Sequence, residues 1–210
     1  VHETVEDIHR AVLRGEADRV TPSVIYGWMM ANYISLSDKE NSWLPEAKLK
    51  QAFSEIRGYV DFRKGNWDDA LAAECPLELV KDDYILTGTI DLLSGNGDQV
   101  QVIDFKTGKK PPMDSLLMEK YRSQLEVYAY LVETKLGRSV ERLVLYFTSD
   151  AEDPCVVFPM SKERVEKRME EFDETARRIL ARDFARRCEM KKNELPTACR
   201  FCDFRKYCGR

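Results

Sequence analysis

No stretch of this 210-residue chain approaches the roughly 20 consecutive apolar residues that a bilayer-spanning helix needs. The first fourteen residues mix His, Glu, Asp and Arg where a secretory signal would place an apolar core, so no export signal is read there. Neither GxxxxGK[ST] nor GxGxxG occurs, which excludes an ATP or dinucleotide site of those kinds. Internal repeats and low-complexity linkers are also missing. At this length a full hydrophobic core is available, so no disulfide framework is required. These absences lead to the expectation of a cytoplasmic protein with no membrane association, built as one large domain or one domain with a small appendage.

What is present is ordinary for a globular protein: 43% hydrophobic and 33% charged residues. The formal net charge of -4 counts against tight, sequence-independent DNA binding by the isolated chain, because phosphate neutralisation dominates that affinity. The average conceals an asymmetry. Arg177, Arg178, Arg182, Arg186, Arg187, Lys191, Lys192, Arg200, Arg205 and Lys206 crowd the last fifth, where they suit a solvated helix face and a phosphate-tracking strip equally well. The chain opens without Met and inside a helical pattern, and it is expected to be the downstream part of a longer protein.

Hydrophobic period divides the chain. Val1, Val5, Ile8 and Val12 recur at helical spacing and place His2 near the start of an amphipathic helix. Thr21-Pro22 opens a second helix through an apolar stretch at 24–34, and a third is predicted over 45–63. The period then falls to two: 77–80, 84–93 and 99–105 read as short strands with a turn at 94–98, an antiparallel meander. A helix over 115–136 stopped by Gly137, strands at 140–148 and 155–158, and a helix over 161–188 with Ser161 as N-cap complete the order. The fold class is α/β, a sandwich distinct from doubly wound nucleotide folds.

The segment 86–108 carries the chemistry. Asp91 and Asp104 lie on paired strands, and Asp104 and Lys106, two apart, share a sheet face. Two carboxylates with a backbone carbonyl suit a hard cation, Mg²⁺ or Mn²⁺, that can polarise a phosphodiester and generate a nucleophile. The lysine would serve the reacting water and the charge of the transition state. A strand-end Asp is commonly a turn or capping residue, and Asp-x-Lys on one face is an ion pair of about 0–1 kcal/mol. Against that, both acids sit inside apolar runs, where an uncompensated acid is costly. Glu78, on the first strand, is placed either near the metal or in a surface role.

"GTID", "VIDFKTG" and "QLEVY" resemble the GxxD, (D/E)xK and QxxxY motifs of the RecB-type branch of the PD-(D/E)XK nucleases. The resemblance covers about 1–145 and implies a restriction-endonuclease-like αβββαβ core with flanking helices. It implies metal binding by Asp91, Asp104, the Phe105 backbone carbonyl and a histidine from the preceding helix, with Lys106 acting at the scissile phosphate. His2 resembles the family histidine and His9 is the second choice; Gln124 and Tyr128, stacked at i, i+4, would position DNA. Tyr121, Leu125, Tyr128 and Leu131 or Val132 also read as a core stripe. The implied function is a Mg²⁺- or Mn²⁺-dependent deoxyribonuclease, an exonuclease on single-stranded DNA ends. Its implied setting is the C-terminal part of a UvrD/RecB-like ATP-dependent helicase-nuclease, with the helicase motor as partner. A free-standing exonuclease of the CRISPR-associated kind and a non-cutting nuclease-like scaffold are the alternatives.

Cys199, Cys202 and Cys208, spaced Cx2Cx5C, gather thiols for metal or cluster ligation. They are similar to the C-terminal cysteines of AddB-type and CRISPR-associated nucleases, which implies a 4Fe-4S cluster, although a zinc site also fits the spacing. The fourth ligand is either upstream of this chain or Cys188. Cys75 and Cys155 are expected to be buried thiols. The expected division is a nuclease domain over 1–195, truncated at its N-terminus, and a cluster-binding tail over 196–210.

Overall fold

The structure is a computed structural model, and it describes residues 1–63 and 65–183. Helices α1 (His2–Leu13), α2 (Pro22–Glu40) and α3 (Glu46–Arg63) precede strands β1 (Ala70–Val80), β2 (Ile85–Asn96) and β3 (Gln99–Lys106). Helix α4 (Leu116–Leu136), strands β4 (Ser139–Phe147) and β5 (Cys155–Pro159), and helix α5 (Lys162–Leu180) follow. The strands form one sheet in chain order. The first three pair antiparallel, β3 and β4 run parallel, and β4 and β5 are antiparallel. Parallel strands need a crossover, and α4 supplies it, which completes the αβββαβ core.

Each face of the sheet is covered by its own apolar cluster. On one face Met118, Leu125, Ala129, Leu131 and Val132 of α4 meet Leu86, Ile90, Leu93, Val100, Val102 and Leu145. On the other, Val5 and Ile8 of α1, Ile25 and Met29 of α2, and Ile56 and Tyr59 of α3 meet Leu92, Ile103, Phe105 and Tyr146. Strand alternation sends Val102 to the first cluster and Ile103 and Phe105 to the second, so Asp104 and Lys106 face α4. Ser115 caps α4 by accepting the Met118 amide at 3.2 Å, and Gly137 ends the helix with φ 64. Ser161 accepts the Arg164 amide at 3.4 Å at the start of α5.

The chain divides into two compact units, 1–169 and 170–210. In the first, α5 is tied to α4 through Glu126, which is buried. Arg164 Nε and Arg168 Nε donate to its two oxygens at 2.7 and 3.2 Å, and Arg122 lies 3.2 Å away.

Three expectations from sequence are corrected. β1 begins at Ala70 instead of residue 77, because Ala70, Ala72 and Ala73 still pair with β2. Pro76 is tolerated within it because β1 is an edge strand. Cys75 and Cys155 are half-buried free thiols, not fully buried ones. Helix α5 closes at Leu180, short of 188. Cys188, Cys199, Cys202, Cys208 and the basic residues from Arg186 onward lie outside the described residues. Arg177 and Arg178 pair with Glu174 and Asp183.

Candidate metal centre

The site begins with a fork in the sheet. The β2–β3 ladder pairs Leu93 with Val102 and Leu92 with Ile103 and then stops, while β3 continues alongside β4 as far as Lys106. One step past the last pair, Asp91 and Asp104 stand opposite each other. Phe105, one residue further on, has lost its strand partner on that side. Its amide donates to Asp91 Oδ2 at 2.7 Å, and its carbonyl lies 2.6 Å from His2 Nε2. Two side chains thus take over the hydrogen bonds a strand would have made, as buried backbone groups require.

The Phe105 carbonyl can only accept, so Nε2 of His2 carries a proton, and in the neutral ring Nδ1 holds the lone pair. That lone pair faces Asp91, with Nδ1 3.7 Å from Oδ2. His9, the second choice from sequence, is a core residue: it is 1% exposed, and its Nε2 meets the Tyr59 hydroxyl at 2.5 Å. Burial holds it well below the ordinary imidazole range, at about 4, so it packs as a neutral ring.

A third carboxylate joins the row. β1 pairs Ala73 with Leu92 and Cys75 with Ile90, which leaves Glu74 opposite Asp91. One ligand atom from each of His2, Glu74 and Asp91 lies within 4.8 Å of the other two. Glu74 has φ 46, a left-handed backbone that is rare for a side-chain-bearing residue and costs of order 1 kcal/mol. The face alternation of both strands changes at this level: Ala72 and Cys75, three apart, pack on the same cluster, as do Ile90 and Leu93. The kink turns Glu74 and Asp91 toward one point. Glu74 is not among the residues the sequence singles out, whereas Glu78, which is, lies exposed and pairs opposite Thr87. The available signal was the acid register itself, which becomes visible only once β1 is extended back to residue 70.

Charge in this row is poorly compensated. Burial, and then the charge of Asp91, push Asp104 up to about 6. Burial likewise raises Asp91, and burial followed by the Asp91 charge raises Glu74. Lys106 Nζ is 2.6 Å from Asp104 Oδ2. That ion pair is its compensation, and among the described residues no further donor reaches the oxygen. A buried acceptor in that state, next to two further acids and an imidazole lone pair, is a donor set for a divalent cation.

Gln124 of QxxxY contacts the lysine, and Tyr128 backs Gln124. Lys106 Nζ donates to Gln124 Oε1 at 3.0 Å, and Gln124 Nε2 donates to the Tyr128 hydroxyl at 2.8 Å. Because a lysine offers only donors, the amide orientation is fixed, and Tyr128 secures it. The glycine of GxxD has a matching reason. A Cβ on Gly88 would lie 3.0 Å from Tyr128 Cε1 and from Leu131 Cδ1, so glycine lets α4 settle onto β2 at this point.

The structure therefore brings His2, Asp91, Asp104, Lys106, Gln124, Tyr128 and the Phe105 carbonyl together at one end of the sheet. A region of an ATP-dependent helicase/nuclease subunit from Pelotomaculum thermopropionicum is 40% identical over 81 residues, covering 36% of this chain and 6% of the relative. The same-named protein of Moorella thermoacetica is 39% identical over 79 residues, covering 37% and 5%. That of Desulfitobacterium hafniense (strain DSM 10664 / DCB-2) is 26% identical over 184 residues, covering 81% of this chain and 13% of its own length. The chain thus spans a small part of the curated relatives it matches. The family model described as "PD-(D/E)XK nuclease superfamily" matches residues 1–209, and to that superfamily this chain belongs.

Proposed function

We propose that this chain hydrolyses DNA phosphodiesters with Mg²⁺ or Mn²⁺, acting as an exonuclease on single-stranded ends, and that it is the nuclease module of an ATP-dependent helicase-nuclease. The observation that carries this reading is the row of Glu74, Asp91 and Asp104 across three strands, with the His2 imidazole and the Lys106 ammonium beside it. The names of the matched relatives support the helicase setting and favour it over a free-standing exonuclease.

In this reading His2, Glu74, Asp91 and Asp104 would hold the cation, with the Phe105 carbonyl as a further oxygen ligand. A divalent cation there would supply Lewis-acid chemistry to a phosphodiester. Lys106 places its positive charge next to the same phosphate and manages the proton of the attacking water. Gln124 and Tyr128 keep that ammonium aimed, which is how they assist the strand's positioning. A motor that delivers the strand removes the need for a strongly basic surface on a chain of net charge -4. The division at 195/196 and cluster binding by Cys199, Cys202 and Cys208 belong to the same proposal.

The test is an end-labelled single strand and the matching duplex, incubated with Mn²⁺ and wild type, Asp104→Ala or Lys106→Ala. Wild type is expected to degrade the single strand faster than the duplex, and each variant to lose at least about a hundredfold in rate. Equal rates for all three proteins reject the assigned site. Binding without cleavage by wild type leaves a non-cutting scaffold.

A further inference from the structure

The Lys106 ammonium is enclosed from three directions. Asp104 Oδ2 stands 2.6 Å away and Gln124 Oε1 3.0 Å away. The third neighbour is the ring of Tyr121, whose centroid lies 4.6 Å from Nζ. Tyr121 precedes Gln124 by three residues and Tyr128 by seven, so all three project from one stripe of α4. Its ring is half-buried against the apolar cluster of that face and tilted 54° to Phe147, with centroids 6.3 Å apart. That packing limits how far the ring can turn away from the lysine.

We propose that Tyr121 is a positioning residue whose ring face holds the Lys106 ammonium at the carboxylate row once a cation has taken up the charge of Asp104. The proposal deepens the nuclease reading and rests on it. With no cation bound, the Asp104 carboxylate is the strongest attraction acting on Lys106. A divalent ion shared by that carboxylate weakens the attraction and repels the ammonium directly. A lysine side chain has a flexible four-carbon stem and would swing toward solvent unless other groups hold it. The two that remain, Gln124 Oε1 and the Tyr121 ring, are neutral. Neither forms a competing ion pair as a phosphate arrives. A cation over an aromatic face at this distance shifts a two-position equilibrium roughly tenfold when the contact is partly shielded from water.

Two substitutions separate the ring's face from its bulk. Tyr121→Phe keeps the aromatic face, whereas Tyr121→Leu keeps an apolar side chain without it; Tyr121→Met replaces the latter if it does not fold. Each protein is prepared with ¹³C-labelled lysine, the Lys106 signal is assigned with Lys106→Arg, and spectra are recorded with Mg²⁺. Wild type and Tyr121→Phe are expected to show the Lys106 ε-protons upfield of the other lysines, shifted by the ring current. Tyr121→Leu should lose that shift, with kcat on single-stranded DNA roughly tenfold lower and KM unchanged. An unchanged shift in Tyr121→Leu, or a wild-type kcat despite a lost shift, overturns the proposal. If no protein cleaves DNA, the nuclease reading fails by itself. The lysine signal then decides whether Tyr121 holds Lys106, and a wild type without the upfield shift rejects that as well.

Discussion

Asp91 Oδ2 accepts the Phe105 amide at 2.7 Å, at the point where the β2–β3 ladder has ended and no strand is left to do so. The same carboxylate lies 3.7 Å from His2 Nδ1. One residue therefore closes the sheet and opens the site, and its two roles can be separated by substitution.

Asp91→Ala leaves the Phe105 amide without an acceptor and should cost about 1–3 kcal/mol of stability. Asp91→Asn retains an acceptor oxygen and removes a charge that raises Asp104, so its stability should stay within about 1 kcal/mol of wild type. Urea unfolding without divalent ions measures both. Equal losses in the two variants would mean that the amide bond contributes nothing.

Gly88→Ala tests the seating of α4. The new Cβ would meet Tyr128 and Leu131 at 3.0 Å, and overpacking of this kind costs roughly 1–3 kcal/mol. Because Tyr128 fixes Gln124 and Gln124 meets Lys106, the cleavage rate should fall further than the lost folded fraction accounts for. A destabilised variant with full activity per folded molecule would disconnect the glycine from the lysine.

His9 predicts a stability change with pH. Its folded value, about 4, lies below the ordinary 6.5, so between those limits the unfolded chain binds the extra proton. The contribution is complete above pH 6.5 and is lost as pH falls toward 4, amounting to about 3 kcal/mol. Asp104, raised by burial, acts in the opposite sense over pH 4–6, so the quantity to measure is the difference between wild type and His9→Gln. That difference should move in favour of His9→Gln by that amount from pH 7 to pH 4. A constant difference would contradict a buried neutral His9.

Glu126→Leu removes the common partner of Arg122, Arg164 and Arg168 between α4 and α5. Stripping one side of a buried ion network typically costs about 3–5 kcal/mol. Denaturant midpoints compared with wild type give the answer, and a loss below about 1 kcal/mol would show that water already screens the cluster.

The elements around the site were legible because their periods are clean. Alternation at 99–105 puts Asp104 and Lys106 on one face, and i, i+4 spacing aligns Gln124 with Tyr128. Glu74 was hidden for a physical reason. It sits among small residues before Pro76, a composition with little strand signal, and its left-handed backbone breaks the alternation by which a strand is read. The reason for Gly88 was equally inaccessible, since it lies in a helix some forty residues later that packs onto the strand. The pairing of the Phe105 amide and carbonyl with Asp91 and His2 depends on where a ladder stops, and no local pattern encodes that.

Calorimetric titration of wild type and Glu74→Gln with Mn²⁺ reads whether the acid row in the sheet's fork is a cation site. One saturable site in wild type, weakened about tenfold or more in the variant, is the expected result. No saturable binding to wild type, or equal affinity in both proteins, would contradict it.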